Sequence, residues 1–257
     1  MRSAGLASAL LGFLHSILLA ANNVNCPGAM IALSADLEPK RFYFDGPGQN
    51  YGAYDFTRLF AKLGIKQGDT YFEKKILERR RVGLSSNVMD LFGSGFFVSE
   101  NIVDSMTGVR LEPLELRPSE IEANLSVPPA VYGDLTKSDT WVVIDQSLRS
   151  RMVPSLDLVV MRPKGGWLGI GHTGEANAEA LTFIAREVSK RLSPSGEFYF
   201  EVSHASSTLL LENYETFQKL IAELETRTPP FEVVLVSSKN GESVHTTSGL
   251  IRPKKTP

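Results

Sequence analysis

An acidic residue followed by two closely spaced glycines lies in the first half of the chain. Asp90 ends an apolar run, Gly93 and Gly95 follow, and a second apolar run begins at Phe96. This order predicts a buried strand, a tight turn at its carboxyl end and the start of a helix. Ligands of open α/β sheets sit at such turns, because glycines let the backbone approach them and a carboxylate accepts hydrogen bonds from their hydroxyl or amine groups. The pattern therefore predicts a ligand-binding turn.

A second glycine motif, Gly169–Gly174, has the form G-x-G-x-x-G that is typical of dinucleotide sites. Such a site needs a strand that runs directly into the first glycine, and an acidic residue about 20 positions further on. Here only Trp167 and Leu168 separate the motif from a preceding loop, and Glu201 lies further away than expected. We therefore interpret residues 165–174 as a flexible loop on the substrate side of a cleft. Binding of a nicotinamide cofactor is the minor alternative.

Five basic residues precede the first glycine turn. They are Lys74, Lys75, Arg79, Arg80 and Arg81. Two glutamates, Glu73 and Glu78, are interleaved with them, which is typical of a solvated helix face. Contact with phosphate or nucleic acid is the alternative interpretation.

Composition narrows the classes of protein to which the chain can belong. The 257 residues are 42% hydrophobic and 22% charged, which disfavours disorder and coiled coil. The formal net charge of −2 disfavours nucleic acid as a partner, because proteins that coat nucleic acid are strongly basic. Cys26 is the one cysteine, so no internal disulfide can form, which suits a reducing compartment.

The first residues form a separate unit in this interpretation. Residues 4–21 are nearly all apolar, and a signal peptide or membrane anchor, a capping helix, or a true start at Met30 would each account for them. We divide the chain into an apolar segment and loop over residues 1–40 and one domain over residues 41–257. We expect a cytoplasmic protein, with export or anchoring through the apolar segment as the alternative. Membrane contact is expected only through residues 4–21.

The elements that must position these residues alternate between strand and helix. Two helical pieces are predicted over Ala53–Arg81, with a break near Gly64–Gly68. Helices are also predicted at Phe96–Met106, at Trp141–Arg149, and along the apolar stripes of residues 181–192 and 210–224. Predicted strands cover Asn87–Leu91, Gly108–Leu116, Pro128–Tyr132, Ser155–Met161, Glu197–Val202, Phe231–Val236 and Gly249–Arg252. We interpret the segment Pro194–Gly196 as the end of a helix and Ser237–Ser248 as a polar turn region.

Alternation of this kind predicts a Rossmann-like, doubly wound and mainly parallel sheet with helices on both faces. The last two strands are joined by a polar connector without a helix. They are therefore predicted to form an antiparallel hairpin at the carboxyl terminus.

This order of elements resembles the class I S-adenosylmethionine-dependent methyltransferases, whose Rossmann-like sheet ends in an antiparallel last strand. The resemblance covers about residues 86–252. It implies that residues at the ends of the first three strands bind the cofactor S-adenosylmethionine, with Glu115 as an alternative to Glu112. These residues are Asp90, Phe92, Gly93, Gly95, Glu112 and Asp134. It also implies that the fourth strand ends beside the transferred methyl group, where Arg162, Pro163 and Trp167 would face the acceptor.

The resemblance implies methyl transfer to an acceptor that the sequence does not identify, either a small molecule or a protein side chain. A third glycine is usual in the first motif of the family, where this chain has Phe96 and Phe97. That difference favours one alternative, a non-catalytic scaffold or interaction protein with the same fold. An NAD(P)-dependent oxidoreductase that uses Gly169–Gly174 is the more distant alternative. No pattern of metal ligands was found, and the oligomeric state is left open.

Overall fold

The computed structural model describes residues 56–66, 71–91, 102–110, 130–161, 174–204, 210–240 and 244–255. Within these ranges the chain forms five α-helices and seven strands. The helices are α1 (Thr57–Lys62), α2 (Tyr71–Arg81), α3 (Ser138–Ser150), α4 (Gly174–Ser189) and α5 (Glu215–Thr226). The strands are β1 (Asn87–Leu91), β2 (Ser105–Arg110), β3 (Ala130–Tyr132), β4 (Leu156–Met161), β5 (Leu192–His204), β6 (Phe231–Asn240) and β7 (Val244–Pro253).

All seven strands join one sheet in the order β3-β2-β1-β4-β5-β7-β6. The pairs from β3 to β5 are parallel, whereas β7 pairs antiparallel with both β5 and β6. The sheet is therefore mainly parallel and ends in an antiparallel hairpin, which confirms the predicted fold class.

Core packing explains why the central strands are buried along their whole length and carry mostly apolar side chains. Every residue of β1 and of β4 is buried, as expected for strands covered on both faces. One face packs against α3, α4 and α5 and contains Trp141, Leu181 and Phe217. We call it the α3–α5 face. The other carries the side chains of α1 and α2, with Phe56 and Phe72 among them, and we call it the α1–α2 face.

Several predicted boundaries were wrong. The hairpin strands extend much further than predicted, because Thr246, Thr247 and Ser248 are buried in β7 rather than lying in a polar turn. The second strand begins at Ser105, so that residues 105 and 106 are strand and not the end of a helix.

The segment Pro194–Gly196 does not end a helix, contrary to the prediction. α4 already ends at Ser189, and the segment lies inside β5, where the pairing with β4 shifts register. A Cβ atom at Gly196 would lie 2.5 Å from the carbonyl oxygen of Leu156. Glycine is therefore required there by the close approach of the two backbones.

The other predicted helices are present, although α4 ends at Ser189 rather than near residue 192 and α5 begins at Glu215 rather than near residue 210. α1 ends at Lys62 and α2 begins at Tyr71, and α3 is a helix with Thr140, Trp141 and Ile144 buried on one side. Among the helices of the described ranges, none is long and apolar enough to span a bilayer. The apolar segment 4–21 and the predicted domain boundary at residue 40 lie outside those ranges.

Candidate functional site

The order of the sheet creates a switch point beside β1. The chain runs outward from β1 to β2 and β3, then returns to the other side of β1 as β4. Crossover connections leave on opposite sides at this point, and in open α/β sheets ligands bind outside the carboxyl ends of the strands there. The carboxyl ends of β1 and β4 therefore mark the candidate site.

Asp90 lies at this point, one residue before the end of β1. Its side chain is 2% exposed, and its register partners are Gly108 in β2 and Val160 in β4. Side chains alternate between the faces of a sheet, and Val88 belongs to the α1–α2 face. Asp90 therefore points toward that same face.

Asp134 follows β3 at the same edge of the sheet and is 6% exposed. Its Oδ1 accepts hydrogen bonds from the backbone N–H of Thr136 at 2.8 Å and from the Thr136 hydroxyl at 2.7 Å. Leu135, the residue after Asp134, is held by Trp141, whose indole Nε1 donates a hydrogen bond to the Leu135 carbonyl oxygen at 2.8 Å. The carboxylate is therefore fixed by its own turn, and the described residues donate no hydrogen bond to its second oxygen.

The other predicted site residues lie outside the described ranges, and their roles stay predictions. They are Phe92, Gly93, Gly95, Glu112, Arg162, Pro163 and Trp167, together with Gly169–His172 of the second glycine motif. Strand β1 ends at Leu91, one residue before Phe92, and β4 ends at Met161, one residue before Arg162. Strand β2 ends at Arg110, two residues before Glu112. The predicted residues thus follow the carboxyl ends of neighbouring strands. Glu201, the candidate acid of the second motif, accepts a hydrogen bond from the Ser248 hydroxyl of β7 at 2.7 Å.

The basic cluster on α2 was interpreted wrongly for one of its members. Arg79 is only 9% exposed, and its Nη2 donates to Asp157 Oδ1 at 2.6 Å. The Asp157 carboxylate, 1% exposed, also accepts from the hydroxyl of Ser193 at 2.6 Å, the hydroxyl of Ser85 at 2.9 Å and the backbone N–H of Asn87 at 2.9 Å. Four donors therefore surround this carboxylate, and the network fastens α2 to the beginnings of β1, β4 and β5.

A second buried polar network lies nearer the amino end of α2. Tyr199 of β5 donates its hydroxyl to Glu197 Oε2 at 2.5 Å, and its oxygen lies 3.0 Å from the hydroxyl of Tyr71. Glu197 Oε2 also pairs with the ammonium of Lys75 at 2.7 Å. Burial, and then the negative charge of Glu197, raise the pKa of the Tyr199 phenol well above its ordinary value. We call these four residues the tyrosine chain.

The tyrosine chain was not predicted, although the sequence carries a partial signal for it. A tyrosine between two phenylalanines in a buried strand needs a hydrogen-bond partner for its hydroxyl, and Tyr199 stands between Phe198 and Phe200. The partner Tyr71 is 128 residues away in the chain, and no spacing rule connects the two.

The amino end of α2 also borders a cleft of about 420 Å³. Its lining includes Tyr71 and Lys75 of the tyrosine chain, together with Ile65, Lys66, Lys74 and Glu78. Among the described residues, no cluster of histidine, cysteine and carboxylate side chains could hold a metal ion.

Comparisons with known proteins give similarity at the level of structure. No family profile matches the sequence, and no curated protein is significantly similar to it. TrmN from Thermus thermophilus is 16% identical, with 68% of this chain and 47% of that chain covered and a TM-score of 0.39. The chain thus spans about half the length of that protein.

Two further solved structures cover larger shares of their own chains. The N-methyltransferase NodS from Bradyrhizobium japonicum is 14% identical over 72% of this chain and 99% of its own, with a TM-score of 0.37. The ribosomal protein L11 methylase from Lactobacillus delbrueckii subsp. bulgaricus is 15% identical over 72% of this chain and 78% of its own, with a TM-score of 0.39. Identity this low carries nothing about activity. The observed strand order, parallel up to β5 and closed by an antiparallel hairpin, is the Rossmann-like fold that the resemblance to class I methyltransferases implied.

Proposed function

We propose that this protein is an S-adenosylmethionine-dependent methyltransferase. The observation that carries the proposal is a buried carboxylate, Asp90, at the carboxyl end of β1 and at the switch point of the sheet. A carboxylate at this edge of the sheet can accept hydrogen bonds, and the amine and hydroxyl groups of S-adenosylmethionine are donors. Asp134 supports the same assignment, because one of its oxygens is fixed by Thr136 and the other accepts nothing from the described residues.

Roles for the cofactor-side residues follow from their chemistry. Asp90 and Glu112 would accept hydrogen bonds from amine and ribose hydroxyl groups, and Asp134 from the adenine amine. Gly93 and Gly95 would let the backbone approach the ligand, and Phe92 would cover it. These assignments rest on the resemblance and on the positions of the strand ends.

The acceptor side would be formed by the residues that follow β4. Arg162 would hold an anionic group of the acceptor, Pro163 would fix the direction of the chain, and Trp167 would close over a planar group. When bound, S-adenosylmethionine supplies an electrophilic methyl group: the acceptor's lone pair bonds to the methyl carbon as the carbon–sulfur bond breaks, and sulfur keeps that bonding pair. The protein's main task is then to hold the acceptor close and in line. We propose a cytoplasmic enzyme acting on a small molecule or a protein side chain.

Calorimetric titration of the full-length chain tests the proposal. We expect S-adenosylmethionine and S-adenosylhomocysteine to bind, and Asp90→Asn and Asp134→Asn each to weaken binding about tenfold or more, since hydrogen bonds to charged groups contribute about 1.5–3 kcal/mol. Glu225→Gln, an exposed carboxylate on α5, is the matched control and should leave binding unchanged. Circular dichroism establishes that each variant is folded.

Two results would contradict this proposal, and a third would contradict only the role given to Asp90. Failure of both sulfur ligands to bind at millimolar concentration would favour a non-catalytic scaffold. Binding of NADH that is lost in Gly171→Ala would favour the oxidoreductase alternative. Tight binding of S-adenosylmethionine without any effect of Asp90→Asn would show that the carboxylate has another role.

A further inference from the structure

The cleft beside α2 has a lining that is unbalanced in charge. Among the described residues of its lining, three are lysines, Lys66, Lys74 and Lys75, and one is a glutamate, Glu78. Lys75 is paired with Glu197, and the side chains of Lys66 and Lys74 are exposed to solvent. The volume of about 420 Å³ is within the range of small-molecule sites. The lining therefore favours a small anionic ligand.

The direction of the hydrogen bonds in the tyrosine chain determines whether the Tyr71 hydroxyl can donate to a ligand or only accept from it. Glu197 forms an ion pair with Lys75, so its carboxylate accepts the one proton of the Tyr199 hydroxyl. The bond of 3.0 Å between the two phenols must then be donated by Tyr71. With its proton directed inward, the Tyr71 oxygen presents only lone pairs to a ligand.

The apolar part of the lining adds a third requirement. Ile65 and Tyr71 both line the cleft, and both side chains are partly exposed. Lys75 lies over that ring, with its ammonium 5.8 Å from the centroid. A ligand that fits must therefore bring negative charge for the lysines, a hydrogen-bond donor for Tyr71 and an apolar body for Ile65.

We propose that this cleft binds a small molecule with a phosphate monoester on an apolar or aromatic body. A phosphate monoester is an anion at every pH of interest and, near its second pKa of about 6, also carries an O–H donor. Carboxylates and sulfonates are anions without that donor, and a phosphodiester also lacks it. The proposal is independent of methyl transfer, because none of the lining residues belongs to the proposed cofactor site.

Phenyl phosphate is a suitable probe, with benzenesulfonate as the anion of similar shape that lacks the donor. Binding to the full-length chain would be measured by calorimetry near pH 6, about the second pKa of the phosphate. We expect phenyl phosphate to bind several-fold more tightly than benzenesulfonate. Tyr71→Phe should remove most of that difference, and the double substitution Lys66→Ala with Lys74→Ala should weaken both ligands about tenfold, as expected when two charge contacts are lost.

Lys219→Ala is the matched control, because Lys219 lies on α5 and its side chain is 72% exposed. Its removal should leave the affinity for both ligands unchanged. The proposal is overturned if phenyl phosphate shows no saturable binding at about 10 mM, or if the double lysine variant binds it as tightly as the original chain. It is also overturned if a single-stranded oligothymidylate competes more strongly than phenyl phosphate, since the site would then select phosphodiesters. Binding of S-adenosylmethionine by the same double variant should be unchanged, so failure here is distinguishable from failure of the proposed function.

Discussion

Both ends of α2 are anchored to the sheet by buried polar networks of different kinds, the carboxyl end to β1, β4 and β5 and the amino end to β5. At the carboxyl end, Arg79 joins an aspartate whose oxygens accept hydrogen bonds from four donors. At the amino end, Tyr71 and Lys75 belong to a chain that begins in the core and ends at a cleft. The Asp157 network uses its hydrogen bonds to hold the helix. The tyrosine chain ends at the Tyr71 hydroxyl oxygen, whose lone pairs face the cleft. Burial of polar groups in one helix thus serves attachment at one end and offers a ligand contact at the other.

Asp157→Ala should give the largest effect on stability. It removes the acceptor of four hydrogen bonds and leaves the Arg79 guanidinium buried without its carboxylate. Breaking a buried ion pair from one side costs about 3–5 kcal/mol, so the free energy of unfolding in urea should fall by about that amount. Glu225→Ala, at an exposed position of α5, should change it by less than about 0.5 kcal/mol. A loss of under about 1 kcal/mol for Asp157→Ala would mean that the network does not fasten the helix.

Tyr199→Phe should have an intermediate effect at neutral pH and a distinct one at alkaline pH. It removes the hydrogen bond to Glu197, a charged acceptor, at a cost of about 1.5–3 kcal/mol. The phenol has a raised pKa in the folded state, so the unfolded chain ionises first as the pH rises. Stability from this group is complete below the unfolded pKa of about 10 and is lost as the pH increases from there toward the folded value.

Urea unfolding at a series of pH values from neutral to strongly alkaline would measure this dependence. The original chain should lose stability above about pH 10 more steeply than Tyr199→Phe does, because the variant lacks the group that titrates. Identical slopes for the two proteins would contradict the assignment of a buried phenol.

Tyr71→Phe should have the smallest effect on stability, about 0.5–1.5 kcal/mol or less, because the lost bond joins two neutral phenols at the edge of a cleft. Thermal unfolding followed by circular dichroism would measure it. A loss as large as that of Asp157→Ala would show that the amino end of α2 is as tightly attached as the carboxyl end. The contrast between the two networks would then disappear.

The order of the elements could be predicted from the sequence more fully than their ends. The alternation of apolar strands with amphipathic helices was sufficient to predict a mainly parallel sheet. The absence of a helical pattern after Phe231–Val236 was sufficient to predict the hairpin. The length of β7 was underestimated because Thr246 and Thr247 are polar and a polar run was interpreted as a turn. In the sheet these residues are buried, and the Thr247 hydroxyl lies 3.3 Å from that of Ser237 across the hairpin.

In the candidate site, too, local sequence patterns predicted the positions of residues, whereas contacts between residues distant in the sequence could not be predicted. Asp90 and Asp134 lie at the carboxyl edge of the sheet, as their neighbouring apolar strands and turns predicted. The burial of Arg79 could not be predicted, because its partner Asp157 lies 78 residues away and a cluster of basic residues looks the same whether or not one of them is paired. Long-range polar pairs depend on the three-dimensional register of strands that a single sequence does not specify.

The α1–α2 face has a practical consequence for anyone dividing the chain into fragments. α1 and α2 cover Leu158, Val160 and Tyr199 with a layer of aromatic rings. A fragment that began at β1 would retain every strand of the sheet, yet it would leave this face open to water and prone to aggregation. Phe56, itself fully buried against Phe72 and Tyr199, therefore belongs inside any fragment meant to fold, and an expressed fragment should begin upstream of it.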